Sequence, residues 1–512
     1  MKTTADIVSM LLPEVRAHHV FLYAYENIYE YQDGIYKEIN EDNIHTYTNQ
    51  AKTSTNVREE EVSRNVKNEV VGHIKATTLA SAKELEERVQ DNLIAFKNGY
   101  LDINELKEDK IILHPFEHPL EKADAPIFFF NIPHNLNITK LENYKTKWTN
   151  EHLASEHILQ ELAPTIYNLF ESQQGTSGVK LQISKIAYCL MRSNPYKVFF
   201  MELGPKDTGK TTYISLVEKV IGEENTSHKS IQDISNYAFS AIALHNMLLN
   251  VHDDLPRKMI NDTGMVKQLT GESIISGHRK FKTDLDFKNF AKLMFTTNEL
   301  PTVAQLDDDA FFSRLVLTIY KNKFERSDFI KKLLSNEDEI EGLIIACVVA
   351  LRDLMLRNSF ADNYAEYAEF WRRHSNSIYD FVKTGVEKKT LMIHPDLKIE
   401  KEELYIMYCE SEKVPEKKTT FTQELTKLFG ISGQAHVTGF DGKQKWAYAG
   451  IGLYDSELAN KEVPQVNPES SQTFQAKCSY CGQSRTCHND AFGHIECSDC
   501  ENARIHKNEE PD

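Results

Sequence analysis

Lys197–Thr212 reads KVFFMELGPKDTGKTT. Its apolar opening, Val198 to Met201, runs directly into Gly204-Pro205-Lys206-Asp207-Thr208-Gly209-Lys210-Thr211. This is the pattern G-x-x-x-x-G-K-[ST], set between a predicted strand and a predicted amphipathic helix. Each residue type has a chemical reason. Gly204 and Gly209 let the backbone curl until its N–H groups face an anion. Lys210 places a point charge against β- and γ-phosphates, and Thr211 offers a hydroxyl to Mg²⁺. Gly204 to Thr212 is therefore read as a phosphate-binding loop, and the surrounding fold as an α/β P-loop core.

Working outward, 512 residues are too many for one hydrophobic core, and at about 150 residues per domain they predict three or four modules. A hydrophobic share of 41% and a charged share of 26% are those of an ordinary globular protein. No apolar run approaches the roughly 18 residues a membrane span needs, and Asp6 and Pro13 interrupt the N-terminus too early for a signal-peptide core. A cytoplasmic protein is expected. The formal charge of −17 argues against a chain that coats nucleic acid over its whole surface, while leaving local contacts open.

Before the loop, residues 1–150 form a predicted accessory α+β domain. His19 to Tyr36 alternates like a small hairpin with a turn at Asp33-Gly34. Val62, Val66, Val70 and Ile74 repeat every four residues in a helix from Thr55, and NLIAFKNGYLDI (Asn92–Ile103) pairs around Asn98-Gly99, with a further strand at Lys110–Leu113. Residues 151–195 return to a helical pattern, and 196–330 hold the nucleotide core.

Beyond the loop, His245–Asp254 (HNMLLNVHDD) is an apolar run ending in two carboxylates. Adjacent acids repel, so a cation is the natural compensation. Asp253 is assigned to the Mg²⁺ shell with Thr211, and Asp254 to orienting the attacking water. Lys288–Glu299 (KNFAKLMFTTNE) is a third strand-like run, which delivers Asn298 as a neutral sensor of phosphate and water. Ligands bind at the carboxyl ends of strands in such sheets. From Arg257 to Lys292 the chain carries eight Lys and Arg against four Asp and Glu. His278, Arg279, Lys280 and Lys282 there flank a predicted hairpin turn, either a nucleic-acid contact or a solvated charged hairpin. Arg314, in AFFSRL, is either an ordinary surface residue or, if it reaches an ATP, one whose position past the nucleotide sheet favours a neighbouring subunit's site.

Together these motifs resemble the superfamily 3 helicases of viruses and plasmids, particularly the poxvirus-type and phage/plasmid primase-helicase branch. GPKDTGKTT (Gly204–Thr212), LLNVHDD (Leu248–Asp254), LTGE…GHRKFK (Leu269–Lys282) and KLMFTTN (Lys292–Asn298) stand in order ahead of Arg314. NLIAFKNGYLDI resembles the signature of the domain that precedes the ATPase in this branch. The likeness implies an AAA+-like core and a homo-hexamer that hydrolyses ATP with Mg²⁺ and translocates on single-stranded or forked DNA. Lys210, Asp253, Asp254 and Asn298 would be catalytic, Arg314 a finger in trans, and the loop around Lys280 and Lys282 a tracker of the nucleic-acid backbone. Lys206 and Asp207 depart from the glycines of many members, and Asp254 from their longer Glu. No primase domain is apparent, so a separate primase or other replication protein is an expected partner. An origin-binding or remodelling ATPase without processive unwinding, and a zinc-ribbon adaptor with a degenerate ATPase, are the alternatives.

Residues 331–455 are read as a helix capped at Ser335-x-x-Asp338, three further helices (Glu369–Val386, Lys401–Cys409, Thr420–Leu428) and a hairpin around Asp441-Gly442. That order fits a winged-helix domain or a plain packing module. Residues 456–475 are a polar linker. In 476–505, Cys478-x₂-Cys481 and Cys497-x₂-Cys500 have zinc-ribbon spacing, since two knuckles present four thiolates to one tetrahedral Zn²⁺. Cys487, His488 and His494 are possible substitutes.

Overall fold

In the computed structural model, residues 2–459 are described except 123, 152–153, 237, 257, 280–282, 326–327, 361–363 and 439–441, together with the backbone of 474–477, 484–489 and 495–497. The chain divides into two compact units, residues 1–380 and 381–512. Among the described residues no helix is long and apolar enough to cross a membrane.

The first unit opens with the helix Thr4–His18, started by a capping box in which Thr3 and Asp6 bond each other's backbone N–H. Next comes an antiparallel meander, β1 (Phe21–Ala24), β2 (Asn27–Gln32) and β3 (Ile35–Ile39), where the alternation predicted a single hairpin. The extra turn is Tyr25-Glu26, held at φ +52° and +61°. Such turns usually carry Gly or Asn, so its sequence hid it. The helix expected from Thr55 begins at Arg64, because Ser63 caps it and Glu59–Glu61 form a separate 3₁₀ turn. β4 (Leu93–Phe96) and β5 (Gly99–Asp102) pair around Asn98-Gly99 as predicted. Lys110–Leu113 is not a strand; only His114 bridges to Tyr100.

The helical stretch before the loop is three helices, Ser155–Leu162, Pro164–Gln174 and Thr176–Cys189, broken at Pro164 and at Gly175, whose φ is +73°. They pack with Glu337–Arg357 into one core shared with the sheet. Gly342 permits a close crossing, since a Cβ there would lie 2.7 Å from the Leu162 carbonyl oxygen. The buried Glu339 carboxylate accepts from the Thr165 and Ile166 N–H groups, 3.1 Å each, and so satisfies the start of Pro164–Gln174. Asn336 caps Glu337–Arg357; Ser335, expected in that place, ends the preceding helix.

The central sheet consists of β6 (Phe199–Leu203), β7 (Thr226–Ser227), β8 (Leu249–His252), β11 (Lys292–Thr297) and β12 (Leu315–Ile319). Its order is β12-β6-β11-β8-β7, with every pairing parallel. All residues of β6 and β11 are buried, as expected where a parallel sheet is covered on both faces. A separate antiparallel pair, β9 (Ile274–Gly277) and β10 (Leu285–Lys288), lies between β8 and β11 in sequence. Inside the core, Lys185 Nζ donates to Glu202 of β6 at 2.6 Å and to Thr318 of β12 at 2.9 Å, both members of the ion pair being fully buried. The segment expected as one helix, Glu369–Val386, is two, Tyr364–Ser375 and Ser377–Glu387, because Asn376 caps the second through the Ile378 and Tyr379 N–H groups.

The second unit contains β13 (Leu391–Glu400), the helices Lys401–Ser411 and Lys418–Phe429, β14 (Ser432–Thr438) and β15 (Gln444–Leu453), in an antiparallel sheet ordered β13-β15-β14. β13 was not foreseen. Pro395 interrupts its pattern and sits at the irregularity between Ile393 and Lys398. The core is built from Leu404, Tyr408, Phe421, Leu425, Tyr448 and Ile451. β16 (Phe474–Lys477), β17 (Ser484–Asn489) and β18 (Ile495–Cys497) form a further antiparallel sheet. Of the expected zinc ligands, Cys478, Cys481 and Cys500 lie outside the described residues. Cys497 is described in its backbone alone, opposite Cys487.

Candidate nucleotide site

Because the five strands are parallel, their carboxyl ends share one edge, and the segments predicted to carry chemistry leave from three adjacent strands. Residues 204–209 connect β6 to the helix Lys210–Ile221. Two glycines are required by the geometry. A Cβ on Gly204 would lie 2.4 Å from the Tyr320 carbonyl oxygen, and Gly209 holds φ +88° with Gln173 Nε2 2.4 Å from where its Cβ would be. Asp207 is also left-handed, at φ +62°. Thr208 Oγ1 closes the loop on the Pro205 carbonyl at 2.8 Å, and Gln173 Nε2 donates to the Gly209 carbonyl at 3.0 Å.

Lys210 Nζ donates to the Gly204 carbonyl, to the Pro205 carbonyl at 2.8 Å and to Asn298 Oδ1 at 3.2 Å. Burial pulls its ammonium below the ordinary lysine range, opposed by Asp253, Asp254 and Asp207. A poorly hydrated cation of this kind gains most from an incoming anion. At the end of β8, Asp253 accepts from Thr211 Oγ1 at 3.0 Å and from Thr296 Oγ1. Asp254, at φ +55°, donates its backbone N–H to Thr296 Oγ1 at 2.8 Å and accepts from Asn298 Nδ2 at 2.7 Å. One hydroxyl of β11 and the carboxamide just beyond its end thus hold both carboxylates and the lysine in register. The residues enclose a cleft of about 380 Å³, which Lys206, Thr208, Gly209 and Thr212 also line.

Five predicted residues, Lys210, Thr211, Asp253, Asp254 and Asn298, therefore converge. Thr211 Oγ1 and Asp253 present a hydroxyl and a carboxylate side by side, the hard oxygen set that Mg²⁺ takes in sites completed by water and phosphate. Arg314 does not join them. It precedes β12 at the strand's amino end, its carbonyl accepting from the Phe199 N–H at 2.8 Å and its guanidinium donating to the Ala310 carbonyl. A five-residue strand, roughly 17 Å, separates that end of the sheet from the cleft.

The basic segment reads differently in three dimensions. Lys267 pairs with Asp308 at 2.7 Å, Lys288 lies 3.8 Å from Glu272, and Lys292 is fully buried. These three cations of the segment are therefore engaged within the fold. His278 Nδ1 meets Asp284 at 2.8 Å. Arg279 donates to the Tyr25 carbonyl at 2.8 Å and pairs with Glu26 at 3.3 Å, so the strained β1–β2 turn holds it. Lys280 and Lys282 lie outside the described residues.

Sequence reasoning missed Thr296 and Gln173. Thr296 had a signal: it lies two residues before Asn298, hence on the same face of the strand, whereas the neighbouring Thr297 turns to the Glu299 carbonyl. Gln173, thirty-six positions from Gly209, had none. A second cavity of about 780 Å³ adjoins the loop, bounded by Gly209, Leu169, Phe324 and Phe329.

Residues 203–314 match the model of a family of unknown function, DUF5906. No curated protein matches the chain. Among solved structures, the apo NrS-1 C terminal region (305-718) is 12% identical with a TM-score of 0.45, covering 87% of this chain and 99% of that one. The A form apo structure of the NrS-1 C terminal region is 12% identical with a TM-score of 0.44, covering 88% and 99%. These likenesses assign no residue a role, and the reading of the cleft rests on its own geometry.

Proposed function

We propose that this chain is an ATP hydrolase of the helicase type, a motor that couples ATP turnover to movement along single-stranded DNA. The observation that carries this reading is the convergence of Lys210, Thr211, Asp253, Asp254 and Asn298, from three parallel strand ends, on one cleft.

Lys210 and the loop N–H groups bind the β- and γ-phosphates, and the neighbouring apolar cavity with Leu169, Phe324 and Phe329 takes the base and ribose. Thr211 and Asp253 hold Mg²⁺, which supplies charge neutralisation on the phosphates. Asp254 accepts a proton from the lytic water as the water oxygen bonds to the γ-phosphorus and the bond from that phosphorus to the bridging oxygen breaks, releasing ADP. Its backbone is fixed by Thr296 and its carboxylate by Asn298, so Asp254 keeps one orientation through the step. When phosphate enters, Lys210 exchanges its carbonyl partners for phosphate oxygens, and Asn298 follows both Lys210 and Asp254. That linkage suits a sensor.

Arg314, remote from its own cleft, serves a neighbouring subunit's site in a homo-hexameric ring. Lys280 and Lys282, with Arg279, follow the DNA backbone. The helix, strand, two helices and two strands from Ser377 to Leu453 follow the order of a winged-helix domain. Cys478, Cys481, Cys497 and Cys500 bind one structural zinc ion.

The test is ATP turnover and strand displacement on a forked duplex, for wild type and Lys210→Ala. Both activities should fall to background in the variant. Strand displacement that survives the substitution rules the motor reading out.

A further inference from the structure

In the second unit, the outer part of the β14–β15 ribbon carries a tryptophan that the fold leaves in solvent. Trp446 is 57% exposed. The register sets it directly opposite His436, and the two rings lie 4.1 Å apart at 38°. Lys401 Nζ sits 5.5 Å from the centroids of both Trp446 and Tyr448. Tyr448, two residues along β15, is fully buried, with its hydroxyl 2.6 Å from that of Thr422. Residues two apart share a strand face. One face thus runs from a packed aromatic over the helical layer to an unpacked one beyond it.

The chemistry around Trp446 is that of a stacking platform. Thr438 pairs with Gln444 beside it, and neither β14 nor β15 contains an Asp or Glu. The carboxylates flanking Lys401 in sequence are occupied elsewhere: Glu400 accepts from Lys445 at 2.9 Å, and Glu402 pairs with Lys418. The ammonium over the rings lies against Gly433 and has no Asp or Glu of β14 or β15 in its company. An exposed indole next to a lysine suits an unpaired base above the ring and its phosphate at the ammonium.

We propose that Trp446, backed by His436 and accompanied by Lys401, is a base-stacking site for single-stranded nucleic acid. It lies apart in sequence from the Arg279–Lys282 loop. The idea leans on the reading of the chain as a nucleic-acid motor, but its test needs no nucleotide. A failed ATP assay and a failed binding assay are therefore separate results.

The experiment titrates the full chain with a labelled 20-nucleotide thymidylate strand, following anisotropy and intrinsic tryptophan fluorescence together. The wild type should bind with quenching of the tryptophan emission. Trp446→Ala should bind roughly 10-fold more weakly. Trp446→Phe should keep most of the affinity, because a phenyl ring still stacks, while losing the quench. Melting temperatures within a few degrees of wild type would establish that the variants are folded. Wild-type binding without quenching overturns the proposal even if a variant misfolds. So does equal affinity in Trp446→Ala, which would leave the face to a protein partner, or a Trp446→Phe as weak as Trp446→Ala.

Discussion

Lys210 and Lys292 stand at opposite ends of the same parallel sheet, and both are surrounded by backbone carbonyls. Lys292 begins β11 and donates to the carbonyls of Met191, Ser193 and Phe290, with its ammonium 4.7 Å from the Tyr188 ring. Lys210 follows β6 and donates to two carbonyls and a carboxamide. The carbonyl cradle therefore does not separate a sealed structural lysine from the one proposed to meet phosphate. What differs is the company at each end. Around Lys210, three carboxylates and an open cleft leave room for an anion and a cation together. Lys292 is sealed, and its partners tie the segment after the helix Thr176–Cys189 to the start of β11.

The largest expected effect breaks the two roles apart. Lys210→Ala should lower ATP turnover by at least about 100-fold with little change in melting temperature. Lys292→Ala should cost about 3 kcal/mol or more of unfolding free energy, because it empties a buried volume and strands three carbonyls. Denaturant unfolding and turnover, measured on both variants, check this. A stable, inactive Lys292→Ala would erase the distinction.

Next in size is the pH response. Burial lowers the Lys292 ammonium to about 7, against 10.5 for an unburied lysine. Below pH 7 both folded and unfolded chains hold the proton; between pH 7 and 10.5 only the unfolded chain does. Stability then rises with pH across that window. Wild type should gain stability relative to Lys292→Met between pH 7 and pH 9.5, and a gap that stays constant would contradict the sealed environment.

Thr296→Val sharpens the cleft side of the comparison. It removes the hydroxyl shared by Asp253 and the Asp254 backbone, so turnover should fall roughly 10-fold with nucleotide affinity nearly kept. Equal losses in kcat and affinity would assign Thr296 to binding instead. The smallest effect concerns the basic loop. Glu26→Gln weakens the pair that holds Arg279, and since pairs of this exposure contribute about 0–1 kcal/mol, DNA affinity should rise no more than about five-fold. An unchanged affinity would mean that Arg279 does not meet the DNA.

Much of the site was legible before folding. The phosphate loop, the acidic end of β8 and Asn298 each announce themselves through a local pattern, an apolar run with polar residues at its end. Asn98-Gly99 likewise marks a turn through φ preferences that belong to the residues themselves. Other elements had no such mark. The Tyr25-Glu26 turn uses residues that rarely adopt left-handed backbone, and β13 carries a proline that local pattern counts against a strand.

The sequence by itself determined which side chains could do phosphate chemistry, because that depends on residue type and on spacing of a few positions. Tertiary structure alone decided which of them meet. The order β12-β6-β11-β8-β7 inserts β11 between the loop strand and the acidic strand, so Asn298 and Thr296 reach both. It also leaves Arg314 at the far end, buries Lys292, and ties Arg279 to Glu26, more than two hundred and fifty positions away. Pairing over such separations follows from strand order and packing, and these are set by the whole core rather than by any local pattern.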